Sequence, residues 1–290
     1  MILLRGNRSH KKKDRGKHKN LGDISNRILH REKILTEQTG ELANQKFSRY
    51  YGNNVGNHSM NGAQHFLIDA DDTLWENNIY FERAIANFIS FLNHKEYSRE
   101  QVREVLNEVE RECIVKHGYG LQSFAHALVD TFERLSVEPL TPALHETIHG
   151  IAHTIADHQV EILPGIPETL QYLSKRHNLI LMTKGELAEQ TGKIERSGLK
   201  EYFSSIEIVP EKNVRTYEEA LSKYDLPSEA SWMVGNSPKS DINPALAAGM
   251  NAVFVPHGAT WVLEHDEVTV PEARSRLLVV ERFSQLQEHF

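Results

Sequence analysis

Cysteine is nearly absent from this sequence: Cys113 is the only one among 290 residues. A single thiol excludes an intramolecular disulfide and a structural zinc centre built on thiolates, and it fits a reducing compartment. Long apolar runs are absent too. None approaches the roughly 18 residues that cross a bilayer, and the apolar start Met1 to Leu4 is too short for the core of a signal peptide, so the expectation is a cytoplasmic protein with no membrane partner. Neither GxxxxGK[ST] nor GxGxxG occurs, so no nucleotide cofactor is implied. Apolar residues at 39% and charged residues at 25% are the proportions of an ordinary globular protein, and the length suits one large domain with an insertion, or two unequal ones.

The net charge of -7 is unevenly spread. Residues 1 to 20 carry eight basic side chains (Arg5, Arg8, Lys11, Lys12, Lys13, Arg15, Lys17, Lys19) against Asp14, a charge of +7 that leaves -14 for the remainder. So acidic a body repels nucleic acid, and contact with a polyanion is expected only through the basic segment. Residues 1–62 show little periodic apolar patterning and read as a mostly disordered extension with a short helix around Ile24 to Leu42.

Ordered patterning begins at His65. The runs His65 to Asp69, Leu179 to Met182, Ile206 to Val209, Trp232 to Val234, Ala252 to Val255 and Leu277 to Val280 are short, apolar and bounded by polar residues, as buried strands are. Stretches of helical periodicity separate them, and an amphipathic helix is expected at the C-terminus. Alternation of this kind predicts an α/β fold, a Rossmann-like doubly wound, mostly parallel sheet with helices on both faces. Between the first two strands lie about a hundred residues that read as helices over Tyr80 to Leu92, Arg99 to Val115, Leu121 to Leu135 and Pro142 to Asp157. A loop of that length is improbable, so they are read as a helical insertion at 78–160, leaving 63–77 and 161–290 for the sheet domain.

Ligands of open parallel sheets collect at the carboxyl ends of the strands, and those ends are unusually polar here. The first strand ends in Asp69-Ala70-Asp71-Asp72-Thr73, the second in Thr183-Lys184-Gly185; the third runs into Glu211-Lys212 and the fourth into Gly235-Asn236-Ser237-Pro238-Lys239-Ser240-Asp241. The ordered set resembles the haloacid dehalogenase superfamily: Asp69, Asp71 and Thr73 match its Asp-x-Asp-x-Thr motif, Thr183 its strand-ending Ser or Thr, Lys212 its lysine, and Asp241 its final acidic cluster. The insertion then corresponds to that family's helical C1 cap, and the resemblance spans about Gln64 to Pro256.

By that resemblance Asp69 is the nucleophile of a phosphatase that passes through an aspartyl-phosphate. A carboxylate splits one difficult displacement at phosphorus into two easier ones. Asp71 would protonate the leaving oxygen and then activate water. Lys212 supplies fixed positive charge, while Thr183 and the backbone N–H groups of Lys184 and Asp72 hydrogen-bond the phosphoryl oxygens. Mg2+, a hard ion that takes oxygen ligands, would be held by Asp69, Asp241 and the carbonyl of Asp71. Asn236 stands where the family commonly has Asp, which removes one acidic group near the metal but keeps an acceptor oxygen. The implied substrate is a small phosphorylated metabolite. True dehalogenases of the family lack the second motif-one Asp, so Asp71 points to phosphate chemistry; a phosphomutase, or a non-catalytic binding module, are the alternatives.

One motif falls outside this set. His145-Glu146-Thr147-Ile148-His149 matches the HExxH pattern of zinc peptidases, but with 16 His in the chain a chance match is easy and no third ligand is patterned. The segment Lys116 to Gly120 reads as a helix-helix turn whose glycines permit it to dip towards a cleft, and Trp75 as packing beside motif one.

Overall fold

The structure, a computed structural model, describes residues 62–156, 158–269 and 276–290. The basic segment with its expected short helix lies outside the described residues, as does Asp157. Among the described residues, six strands form a single sheet: β1 (His65–Ile68), β2 (Asn178–Lys184), β3 (Ser205–Val209), β4 (Ser231–Gly235), β5 (Asn251–Phe254) and β6 (Leu277–Val279), in the order β3-β2-β1-β4-β5-β6. Every pairing is parallel, with Phe66 of β1 level with Leu179 and Trp232 on its two neighbours.

The strands are apolar at consecutive positions because both faces are covered. Phe66 and Ile68 point into one cluster with Leu181, Ile194, Ile166, Leu170, Phe283 and Leu286, so α5 (Ile166–Ser174), α6 (Leu187–Ser197) and the C-terminal turn cover that side. Leu67 points the other way, to Ile180, Met233, Tyr217, Ala220 and Ala245, and so to α7 (Val214–Lys223) and α8 (Asn243–Ala247).

Between β1 and β2 stand α1 (Asn78–Leu92), α2 (Arg99–His117), α3 (Leu121–Leu135) and α4 (Pro142–His153), which enclose a core of their own around Phe88, Leu106, Leu128, Phe132 and Ile148. Ser98 starts α2 by a capping box: its hydroxyl accepts from Gln101 N while Gln101 Oε1 accepts from Ser98 N at 2.9 Å, worth about 1 kcal/mol to that helix.

Two expectations are corrected. The helix expected to run to Asp157 ends at His153, where the Thr154 hydroxyl donates to Ile151 O at 2.7 Å and competes with helical bonding. The C-terminal element is a 3-10 helix, Phe283–Glu288. Its buried residues Phe283 and Leu286 are three apart, the spacing that three residues per turn brings onto one side.

Candidate active site

The carboxyl ends of β1, β2 and β4, together with the loop after β3, open into one cavity whose lining includes Asp69, Asp71, Thr183, Lys184, Lys212, Asn236 and Asp241. These strand-end residues are brought together from positions as far apart in sequence as 69 and 241. The cavity holds about 960 Å3, its open mouth included. Its opposite wall comes from the inserted helices, through Phe81, Glu110, Ile114, Tyr119, Ser123 and Phe124.

At the floor, the Lys212 ammonium donates to Asp69 Oδ1 at 2.5 Å and to Asp241 Oδ1 at 2.7 Å, and all three side chains are buried. The other oxygen of Asp69 accepts from the Thr73 hydroxyl at 3.0 Å, which also lies 3.2 Å from Asn236 Oδ1. Burial first, and then the negative charge of Asp241, push the Asp69 carboxyl up to about 7 against the pull of Lys212. Lys212 is held above the ordinary lysine range: burial opposes its charge, but the two carboxylates outweigh it.

Local folding explains the position of Asp241. It sits in a π-helical turn, Pro238–Ile242, opened by Ser237, whose hydroxyl accepts from Ser240 N at 2.9 Å while Ser237 N donates to Asp241 Oδ2 at 3.0 Å. Single π turns of this kind recur at functional sites. Gly235 makes the approach possible, since a Cβ there would lie 2.2 Å from Asp241 Oδ2.

Asp71 faces the same cavity but is held by a separate set of groups. Lys193 Nζ lies 3.0 Å from its Oδ2, Gln190 Nε2 donates to Oδ2 at 2.9 Å, and the Trp75 indole donates to Oδ1 at 2.8 Å. Burial disfavours the charge, but Lys193 and these donors outweigh it and hold the carboxyl below the usual carboxylate range. Trp75 is core, as expected, and also positions Asp71. Thr183 is buried, with its hydroxyl 3.3 Å from Gln190 Oε1.

The Lys184 ammonium is engaged away from the Asp69 oxygens: it donates to Glu264 Oε1 at 2.6 Å and Ser240 Oγ at 2.8 Å and sits 4.2 Å from the centre of the Tyr119 ring. The Tyr119 hydroxyl in turn donates to Glu211 Oε2 at 2.8 Å, so the segment Lys116 to Gly120 does reach the cleft. Lys193, Gln190 and Glu264 escaped sequence reasoning. The first two lie on α6 at positions that read as solvated, and Glu264 follows β5 in a loop without periodicity.

The HExxH segment lies away from this cavity's lining. His145 and His149 stack on α4 with ring centres 4.5 Å apart. Among the described residues, the group of three metal-ligating side chains whose ligand atoms all lie within 4.8 Å of one another is instead Asp72, Glu76 and His257. Of these, Asp72 is already used by the backbone, accepting from Asn77 N and Asn78 N at the start of α1.

A family model described as haloacid dehalogenase-like hydrolase matches residues 66–255. The chain belongs to that family. Proteins similar to it include a glyceraldehyde 3-phosphate phosphatase of Methanothermobacter thermautotrophicus, 28% identical over an alignment of 231 residues, with 77% of this chain and 97% of that one covered. A haloacid dehalogenase-like family hydrolase from Xanthomonas campestris superposes with a TM-score of 0.65 at 30% identity, over 77% of this chain and 92% of that one. A putative hydrolase of the same family from Bacillus subtilis, solved bound to magnesium, shares the fold at a TM-score of 0.55 and 14% identity, over 78% and 98% of the two chains. Family membership makes the chain a hydrolase and accounts for the six-stranded parallel sheet with helices on both faces.

Proposed function

We propose that this hydrolase is a Mg2+-dependent phosphatase of small phosphomonoesters that works through an aspartyl-phosphate on Asp69, with α1–α4 acting as its cap. The observation that carries the proposal is the convergence of Asp69 and Asp241 on the Lys212 ammonium, with Asp71 facing the same cavity.

Asp69 attacks phosphorus with one carboxylate oxygen, the ester oxygen leaves, and a mixed anhydride forms; water then attacks the phosphorus and returns the carboxylate. Asp71 gives a proton to the leaving oxygen in the first step and takes one from water in the second. Lys212 neutralises charge beside Asp69, and Thr183, at the end of β2, is in reach of the cavity to donate to a phosphoryl oxygen.

The donor set fits a hard divalent ion. Two buried carboxylates share one ammonium, which leaves an excess of negative charge, and that excess contributes to lifting Asp69 towards protonation. Asp69, Asp241 and the carbonyl of Asp71 would hold Mg2+, with Asn236 Oδ1 close by. When bound, the ion would offset negative charge on the phosphoryl group and keep the Asp69 carboxylate ionised.

The test is phosphate release from p-nitrophenyl phosphate and from a panel of phosphorylated metabolites, with and without EDTA. Glyceraldehyde 3-phosphate enters the panel because a relative of 28% identity acts on it. Asp69→Asn should abolish release. Asp71→Asn should give one equivalent of p-nitrophenol and then stall, because that leaving group needs no acid whereas hydrolysis of the anhydride needs the base. Turnover by Asp69→Asn at the wild-type rate would remove the nucleophile from the scheme.

A further inference from the structure

The inserted helices bring three apolar side chains to the cavity lining, Phe81 of α1, Ile114 of α2 and Phe124 of α3. Phe81 and Phe124 meet edge to face with ring centres 5.1 Å apart. Asn78 and Tyr119, polar residues of the same lining, have hydrogen-bond partners; two further polar side chains there are Glu110 on the inner face of α2 and Ser123 in the first turn of α3. Both are more than nine-tenths buried, with 6% and 5% of their surface exposed. Among the described residues, neither Glu110 Oε2 nor Ser123 Oγ has a hydrogen-bond partner.

Leaving such groups unpaired is unfavourable. Each buried polar atom without a partner costs about 1–3 kcal/mol, and natural interiors pair nearly all of theirs. Nearby side chains have not relieved Glu110. Arg103 is turned to Glu82, with which it makes two bonds of 2.7 Å. Burial lifts the Glu110 carboxyl to about 7, with Glu82 adding to the effect while Arg103 and Arg111 oppose it. Two orphaned polar groups among apolar rings, in the lining of the cavity that also holds Asp69, are the pattern of a recognition subsite.

We propose that Glu110 and Ser123 bind the end of the substrate remote from phosphorus, and that this end carries hydroxyl groups, making the substrate a short polyol or sugar phosphate. The inference rests on the phosphatase reading of the same cavity and adds its substrate class. A hydroxyl both donates and accepts, so once the two enclosed side chains turn towards it, it gives the Glu110 carboxyl a donor and the Ser123 hydroxyl an acceptor together. An alkyl group satisfies neither atom. An ammonium group can donate to both side chains but leaves the serine proton without an acceptor. A site built to hydrogen-bond a substrate hydroxyl rejects the analogue that lacks it, because its own polar groups are then left unpaired.

The experiment compares glycerol 1-phosphate, n-propyl phosphate and 3-aminopropyl phosphate, three esters of the same chain length, with p-nitrophenyl phosphate as the check on chemistry. The full chain is used, wild type and with Glu110→Gln, Ser123→Ala and the control Val115→Ser, which lies on the exposed side of α2. The wild type is expected to favour the glycerol ester over the propyl ester by tenfold or more in kcat/KM. Ser123→Ala should lower that ratio at least fivefold, while Val115→Ser should leave it as it is. Glu110→Gln keeps the shape of the side chain and is expected to lower the ratio as well.

Equal kcat/KM for the glycerol and propyl esters, or a ratio that survives both substitutions, overturns the subsite while leaving the phosphatase in place. A parallel loss on both esters does the same, since it marks damage to the fold and not lost recognition. Preference for the aminopropyl ester overturns the hydroxyl assignment. No release from any of the four compounds by the wild type overturns the phosphatase reading, and the subsite with it.

Discussion

Lys193 on α6 lies 3.0 Å from the carboxylate of Asp71 and also reaches Asn77 Oδ1, at 2.9 Å, just before α1. The lysine thus joins the proposed acid-base group to the junction between sheet and inserted helices. Its charge favours the ionised form of Asp71, whose carboxyl is held low. A proton donor so held is strong but seldom protonated, which confines its acid role to the lower part of the working pH range.

Lys193→Met should therefore shift the pH profile. Without the ammonium, the burial that opposes charge acts on Asp71 unbalanced, so its pKa rises. The alkaline limb of kcat for an alkyl phosphate, which reports loss of the acid proton, is expected to move to higher pH. With p-nitrophenyl phosphate the first step needs no acid, and the burst of p-nitrophenol should show no such displacement. A limb that stays in place for the alkyl ester would detach Lys193 from the chemistry.

The floor of the site predicts a pH-dependent response to metal. Asp69 has a folded pKa of about 7 against 3.8 for the free group, so its contribution to stability is fully present below 3.8 and is lost as pH rises through 7. A cation between Asp69 and Asp241 offsets that loss where the carboxylate is ionised and competes with the proton where it is not. At a hundredfold excess over its dissociation constant a ligand adds about 2.7 kcal/mol, which for a protein of this size is a rise in Tm of several degrees. Millimolar Mg2+ should thus raise Tm at pH 8, do so much less at pH 5, and do nothing for Asp241→Asn. An equal rise at both pH values would show that the ion binds elsewhere.

The strand ends were legible in the sequence because a parallel sheet covered on both faces demands uninterrupted apolar strands, so the first polar residue after each run marks the cleft. Asp69, Thr183, Lys212 and Asp241 line one cavity for that reason. The groups that tune them were not legible. Lys193 and Gln190 sit on an amphipathic helix where polar side chains normally meet water, and only packing of α6 against the segment Asp71 to Asn77 turns them inward. Glu110 stands four residues from both Leu106 and Ile114, so its spacing does place it on the apolar face of α2, apart from the solvated Glu104 and Glu108, but a charged residue at such a position does not by itself mark a cavity. The end of α4 was misread because periodicity continues past the residue at which a threonine side chain takes over a backbone carbonyl.

Gly235→Ala tests whether the π-helical turn sets the position of Asp241. The added methyl would lie 2.2 Å from Asp241 Oδ2 and 2.7 Å from its Cβ, and both lie too close for two atoms to coexist, so the turn has to move. Overpacking of this kind costs roughly 1–3 kcal/mol, and a misplacement near 1 Å at a reacting centre lowers turnover about 100-fold. The expected outcome is a folded protein with a modestly lower Tm, turnover down by that factor, and a weaker Mg2+ response. Wild-type turnover in this variant would mean that the position of Asp241 is not critical.

Glu110 carries a stability prediction separate from its role in recognition. Its pKa is about 7 in the folded chain and 4.5 when free, so by the same linkage its stabilising contribution holds below pH 4.5 and fades as pH climbs through 7. The gap corresponds to a penalty on the order of 3 kcal/mol at pH 8, at 1.36 kcal/mol per unit. Glutamine has the same shape and no proton to lose. Glu110→Gln should consequently melt at a higher temperature than the wild type at pH 8, with the difference vanishing near pH 4.5, as followed by circular dichroism in the absence of substrate. A variant that melts below the wild type at pH 8 would mean that the carboxylate is satisfied in the folded protein, and Glu110 would then have no unmet hydrogen bond to offer a substrate hydroxyl.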